Sequence, residues 1–330
     1  MSPSELPNPA DLAAAVCRSE RPSIAAALNL LDDKRDSSRH VAADFLTRLQ
    51  RSNELTPSHL IGITGPPGAG KSSLTAALIS HWRKEGLTVG VLAVDPSSPI
   101  SGGALLGDRL RMKTSSEDDG VFVRSLACRG EFGGLSAEVW PMSVVMMAAF
   151  DITLIETVGV GQREIDVSQL CDTTCYVAQP GSGDSVQFLK AGILEVPHIL
   201  VVNKEDMGEV AMRTLAELAS ALCKEHPDGV WQVPVLSASA TRNSGIAALA
   251  TKLQEHYLHL MSHNILSERR LAYQAAWASK RLHREFGSHG IDQLGGEQTL
   301  LNQLKGSELP ILEQHKLLRQ QLLGNPKTPL

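Results

Sequence analysis

Eight consecutive residues, Gly65-Pro66-Pro67-Gly68-Ala69-Gly70-Lys71-Ser72, have the spacing G-x-x-x-x-G-K-[ST]. The chemistry such a spacing serves is the capture of a polyphosphate. Its glycines let successive backbone N–H groups turn toward phosphate oxygens, a curl that a Cβ would obstruct. Lys71 is then placed to neutralise β- and γ-phosphate charge and Ser72 to offer a hydroxyl to Mg²⁺, while the helix that follows adds the positive end of its dipole. The expected nucleotide contacts in this loop are Gly65, Pro67, Gly68, Ala69, Gly70, Lys71, Ser72 and Ser73.

A phosphate loop does not choose a base, and the choice falls to Asn203-Lys204-Glu205-Asp206, of the form N-K-x-D. A carboxylate at Asp206 can accept from N1–H and the exocyclic amine of guanine together, a donor pair that adenine lacks. Lys204 is expected to lay its aliphatic stem along the base and Asn203 to tie the segment to the phosphate loop. Ser237 and Ala238, at the end of a later strand, are expected beside the base, with the Ala238 N–H donating to guanine O6. The expectation is therefore GTP rather than ATP.

Three further positions carry hard oxygen donors or switch chemistry. Asp95 ends an apolar strand and opens Asp95-Pro96-Ser97-Ser98-Pro99, where it can serve Mg²⁺ or simply form an Asx-turn before proline. Glu156-Thr157-Val158-Gly159 stands where GTPases usually have D-x-x-G, so that Glu156 takes the carboxylate role and the Gly159 N–H faces a γ-phosphate. Asp108, in the glycine-rich segment Gly102 to Arg109, is a further candidate for Mg²⁺. Gln162 and Glu164 follow in the same loop as Gly159, either to place water or merely to face solvent.

Positioning these residues requires strands that end at them. Short apolar runs at 60–64, 88–94, 121–124, 152–155, 174–178, 198–202 and 232–236 alternate with helical stretches. That pattern predicts an α/β fold with a mostly parallel sheet covered by helices on both faces, and nucleotide chemistry at the carboxyl ends of the strands. Residues 1–55 read as a helical prefix, 56–262 as the phosphate-loop domain and 263–330 as a helical tail whose last residues, 325–330, fray. In the tail Leu271, Ala275, Ala278, Leu282 and Phe286 share one stripe, with Gly287 at the helix end; the stripe suits either the chain's own core or a seam between two copies.

Composition narrows the classes. Against 36 acidic residues stand 31 basic ones, a net charge of −5, with no Lys/Arg run to grip nucleic acid. The five cysteines, widely spread, suit free thiols in a reducing compartment, and the pair Cys171 and Cys175 reads as core rather than as metal ligands. The first residues lack the basic leader of an export signal and the longest apolar stretch, 139–150, is too short to span a bilayer, so a cytoplasmic protein with no nucleic-acid or membrane partner is expected.

The phosphate loop, DPSSP, GGALLGDR, RGEFGGLS, ETVGVGQ and NKED occur in this order between about Ile61 and Ser239. In this the chain resembles the MeaB/MMAA family, also called ArgK in bacteria. The resemblance implies a P-loop NTPase of the SIMIBI class that hydrolyses GTP and acts as a chaperone of an adenosylcobalamin-dependent acyl-CoA mutase, chiefly methylmalonyl-CoA mutase. It also implies gating of cofactor loading and protection of the mutase, with a cobalamin adenosyltransferase as a further candidate partner. The resemblance further implies Mg²⁺ held by Ser72, Asp95, Asp108 and Glu156, and a homodimer built on the C-terminal helices. A third switch from Pro180 to Lys190 is implied too, with Lys190 stabilising the transition state. Relatives often have an acidic residue and a second lysine where this chain has Ser185 and Ala191. The rival readings are a GTPase that inserts nickel, for which no C-x-x-C metal store is present, an amino-acid kinase, against which the NKED segment argues, and a nucleotide-gated binding module.

Overall fold

The computed structural model describes residues 6–33, 35–52, 58–95, 118–127, 139–157, 167–181, 197–222 and 231–324. The chain divides into two units, one formed by Pro57–Ser136 and Phe150–Asn264, the other by Met1–Thr56, Ala137–Ala149 and Ile265–Leu330.

The second of these units is helical, with α1 (Pro9–Cys17), α2 (Arg21–Asp32) and α3 (Asp36–Ser52) from the prefix. The α1 start is capped by Asn8, whose Oδ1 accepts from the Ala10 N–H at 2.9 Å, with Pro9 at the first position where its missing donor costs nothing. The segment α5 (Val139–Ala149) joins them, and its near-uniform apolarity leaves ten of its eleven residues buried. The tail adds α8 (Ile265–Gln293), α9 (Glu297–Gly306) and α10 (Ile311–Leu322). Trp140 and Trp277 meet with ring centroids 4.5 Å apart, and Arg51 pairs with Glu313 at 3.1 Å, so prefix, middle segment and tail share one core. Ala275, Ala278 and Leu282 are buried inside this unit, which assigns that part of the tail stripe to the chain's own packing. Gly287, at φ +66° and ψ −171°, breaks α8 where the sequence places a helix end.

The other unit carries a seven-stranded sheet among the described residues: β1 (His59–Thr64), β2 (Val89–Asp95), β3 (Val121–Ala127), β4 (Ile152–Thr157), β5 (Thr173–Ala178), β6 (Ile199–Val202) and β7 (Val235–Ser237). The order is β3-β2-β4-β1-β5-β6-β7 and every pairing is parallel. All seven apolar runs become strands. Helices on both faces explain why the runs are continuous rather than alternating. On one face Cys175, Val177, Ile199 and Val201 join Leu74, Leu78 and Trp82 of α4 (Lys71–Lys84) and Leu249 and Leu253 of α7 (Ile246–Ser262). On the other, Tyr176, Ala178, Leu200 and Val202 pack with Ala211 and Leu218 of α6 (Glu209–Ala221).

The last strand departs from its sequence reading. It starts at Val235 rather than at 232, because Pro234 has no N–H and enters the ladder only as an acceptor, from the Leu200 N–H at 3.0 Å. The ladder also runs on past Ser237, since Ala238 donates its N–H to Val202 O at 2.9 Å.

At the amino edge of the sheet, His59 Nε2 and His256 Nδ1 both lie 2.7 Å from Thr173 Oγ1, all three residues buried. Cys171 and Cys175 are buried thiols: burial pushes Cys175 up to about 12, and burial with the neighbouring Asp172 raises Cys171 well above the usual thiol range. This environment suppresses thiolate and suits the core role read from the sequence.

Candidate nucleotide site

β1 delivers the phosphate loop and α4 begins at its lysine. The loop is left-handed at Gly68 (φ +79°) and Gly70 (φ +85°). A Cβ on Gly65 would collide with the Val177 carbonyl of β5, and one on Gly70 would lie 2.5 Å from Asn203 Nδ2. Glycine at these two positions is thus required by close approach of neighbouring chain, in addition to the backbone angles. Lys71 folds back along the loop, donating to Gly65 O at 2.9 Å and Pro66 O at 3.0 Å. A phosphate oxygen is a stronger acceptor for an ammonium than either carbonyl, so the lysine is held where it can exchange one partner for the other. Pro67 and Ser73 are exposed and Ala69 is buried.

β6 delivers the second loop. Asn203 is buried and donates through Nδ2 to Ala69 O at 2.9 Å and Gly70 O at 3.3 Å, while its Oδ1 accepts from the Ala240 N–H at 3.3 Å. Lys204, at φ +59°, sends Nζ to Gly68 O at 2.7 Å. Two adjacent side chains of the N-K-x-D segment thus clasp the phosphate loop, as the sequence predicts for Asn203. Asp206 accepts from Ser239 Oγ at 2.5 Å. That hydroxyl, with Arg242 and Lys204 adding positive potential, holds the Asp206 carboxyl below the usual carboxylate range and keeps it an anionic acceptor at neutral pH. Glu205 anchors the loop from its other side by accepting from Ser244 Oγ.

Ala238 does not fill the role the sequence assigns to it. Its N–H is committed to Val202 O inside the ladder and its carbonyl accepts from the Glu205 N–H, so its backbone is not presented to a base; Ser237 precedes it in register with Val202. The residues that face the N-K-x-D loop are Ser239 and Ala240, two positions on. They were missed because the strand ends later than its apolar run. The signal available was the repeat of Ser-Ala in Ser237-Ala238-Ser239-Ala240, whose second copy precedes the turn.

Opposite the loop, β4 carries Glu156 as its penultimate residue. Ser72 Oγ donates to Glu156 Oε1 at 2.5 Å, both residues buried, and Thr157 Oγ1 lies 3.0 Å from Thr64 Oγ1, fastening β4 to β1 at the loop's root. Register sets Glu156 beside Ile63 of β1 and beside Ala93 of β2, two residues before Asp95. The backbone of Asp95 ends β2 as expected, and its side chain lies outside the described residues. Asp108, Gly159 and Lys190 also lie outside them, as do Gln162, Glu164, Ser185 and Ala191.

A parallel sheet presenting a glycine loop and helix start at its carboxyl edge defines a P-loop NTPase, and the clasp between that loop and the N-K-x-D segment is the arrangement of a GTP-hydrolysing member. Residues 24–291 match the family model for the methylmalonyl Co-A mutase-associated GTPase MeaB, and the chain belongs to that family. A protein of Pyrococcus abyssi named as a GTPase is 42% identical over 259 residues, covering 77% of each chain. A mitochondrial methylmalonic aciduria type A homolog of Caenorhabditis briggsae is 36% identical over 222 residues, 66% of this chain and 54% of that one. Among solved structures, one of an LAO/AO transport system kinase superposes with a TM-score of 0.70 at 25% identity, covering 95% of this chain and 98% of the other.

Proposed function

We propose that this GTPase works as a nucleotide-driven chaperone that gates cofactor loading into, and protects, an adenosylcobalamin-dependent acyl-CoA mutase of the methylmalonyl-CoA mutase type. The family description names a mutase association, which supports the client. The observation that carries the switch is the 2.5 Å bond from Ser72 Oγ to Glu156. It joins the phosphate loop to the strand that leads into the 158–166 segment, so a change at the phosphates is transmitted to that segment through a single carboxylate.

Ser72 and Glu156 are adjacent hard oxygen donors, the chemistry that suits Mg²⁺, with Asp95 and Asp108 as the further carboxylates of the set. Bound there, the ion would neutralise charge on β- and γ-phosphate oxygens. The chain's own residues do the rest: the loop amides and Lys71 bind and orient the triphosphate, Gly159 senses the γ-phosphate, and Lys190 supports the developing charge when the client orders its segment. Slow turnover alone and faster turnover with the mutase follow from that division of labour. We further assign a cytoplasmic protein acting as a homodimer through its C-terminal helices. Since Ala275, Ala278 and Leu282 are already buried within the chain, the seam must use another face. Among the described residues no helix is long and apolar enough to cross a membrane.

The deciding experiment is co-purification with a cobalamin-dependent mutase in GDP and in a nonhydrolysable GTP analogue, together with GTP turnover with and without the mutase. Nucleotide-dependent capture and accelerated turnover are expected. Turnover that is fast alone and indifferent to the mutase would overturn the chaperone assignment, and transfer of phosphate to an amino acid in place of water would favour a kinase.

A further inference from the structure

β4 reaches the site with two polar side chains that leave the sheet on opposite faces. Ile61, Ile63, Ile152 and Leu154 pack with Leu74 and Leu78 of α4, and Glu156 is the next residue of that parity on β4, so its carboxylate meets Ser72 on the α4 face. Thr157 has the other parity. Its hydroxyl donates to Thr64 Oγ1 at 3.0 Å, with Ile63 O a longer second acceptor at 3.4 Å, and both threonines are buried. Thr64 stands immediately before Gly65, where the phosphate loop begins.

The main-chain pairing of β4 is uneven at this level. On the β2 side the register runs to the pair Val94 and Thr157, whereas on the β1 side it stops one residue earlier, at Ile63 and Glu156. The two hydroxyls continue the tie to β1 by side chains where the pairing stops. What they restrain is the position of Glu156, whose bond to Ser72 is 2.5 Å long. A displacement of about 1 Å at a reacting site can cost on the order of 100-fold in rate, so a tie of this kind bears on turnover.

We infer that Thr157 is a positioning residue for GTP hydrolysis: by its bond to Thr64 it fixes the end of β4 against β1 and so keeps the Glu156 carboxylate at Ser72. It acts through Glu156 and not on the nucleotide, because its side chain leaves the sheet on the face away from Ser72. The inference rests on the reading of Glu156 as the carboxylate of the site and is independent of any client protein.

The test is steady-state GTP turnover of the full-length protein alone, with GDP affinity and denaturant unfolding measured on the same variants. Thr157→Val and Thr64→Val keep the branched shape and strand preference while deleting one end of the bond. Each should lower kcat about fivefold to tenfold, with KM for GTP and GDP affinity within about threefold of the parent, and Thr157→Ser, which keeps the hydroxyl, should hold kcat within about twofold. Should Thr157→Val fail to bind GDP, Thr64→Val reads the same bond from its other end. The double valine variant separates positioning from folding. Removing both hydroxyls leaves neither unsatisfied, so its unfolding midpoint should recover toward the parent's, while its kcat should stay at the level of the single variants. Valine variants that turn over GTP like the parent, losses that multiply in the double variant, or a kcat that recovers with its stability would each overturn the inference. So would Thr157→Ser as slow as Thr157→Val. Glu156→Gln in the same assay tells two failures apart. If it lowers kcat while the valine variants do not, the positioning role alone falls; if it leaves kcat unchanged, the reading of Glu156 falls and the role of Thr157 with it.

Discussion

At the scale of single residues, two carboxylates divide the work of the site. Asp206 is held anionic by Ser239, and its two oxygens suit two donors on one purine edge. Asp206→Asn should therefore weaken GDP at least tenfold and improve the relative binding of xanthosine diphosphate, whose C2 carbonyl matches an amide donor; competitive nucleotide binding reads this directly. Ser239→Ala removes the hydroxyl that orients the carboxylate and should cost a few-fold in the same assay, whereas a base contact from the Ala238 N–H predicts no effect at Ser239. Glu156→Gln should leave GDP affinity within a few-fold and lower GTP turnover at least tenfold, measured as phosphate release, because a neutral amide keeps the Ser72 contact without the charge. His315 gives a pH signature. Burial, with Arg281 and Arg319 adding and Glu285 opposing, lowers its pKa to about 4, while the unfolded chain keeps about 6.5. The folded imidazole is depressed, so its contribution is present above pH 6.5 and is lost as pH falls toward 4, by up to roughly 3 kcal/mol. Asp33, Glu285, Arg39, His40 and Arg284 share its surroundings, so the readable quantity is a difference. Denaturant unfolding between pH 4 and 7 should show a shallower fall for His315→Phe than for the parent.

At the scale of elements, what could be read beforehand is what depends on pattern. The seven strands announce themselves because a parallel sheet buried on both faces needs uninterrupted apolar runs, and the Gly65 to Ser72 spacing is dictated by how closely β5 and Asn203 approach. Hidden from the sequence was anything fixed by register. The ladder extends to Ala238 through one bond to Val202, which leaves Ser239 and Ala240 as the pair that bonds to the N-K-x-D segment and is invisible in residue types. Equally hidden was the sharing of one hydroxyl by two histidines from distant elements. Thr173 has a single proton, so it donates to one of His59 and His256 and accepts from the other. Thr173→Val should leave a buried ring nitrogen unsatisfied and cost about 1–3 kcal/mol by denaturant unfolding. For comparison, Leu249→Ala, at a fully buried position where α7 meets the sheet, should cost about 2–5 kcal/mol. Gly70→Ala combines a left-handed φ with the 2.5 Å approach to Asn203 and should abolish nucleotide binding while the sheet persists by circular dichroism.

At the scale of the whole molecule, the chain sorts into a nucleotide unit that is nearly continuous and a helical unit gathered from three separated stretches. The prefix and tail were legible as helical, and their common core was not, since no periodicity reports which distant face a helix will meet. A contact that joins them, Arg51 with Glu313, spans more than two hundred positions. This has a consequence in time. During synthesis α1 to α3 leave the ribosome roughly 200 residues before α8, which at about 5–20 residues per second is on the order of 10–40 s. Throughout that interval the prefix has no tail to close against, and neither has the apolar α5 once it emerges. The nascent protein must pass through a stage in which its phosphate-loop half can be complete while its other half stays open, and the final sixty residues act as the latch.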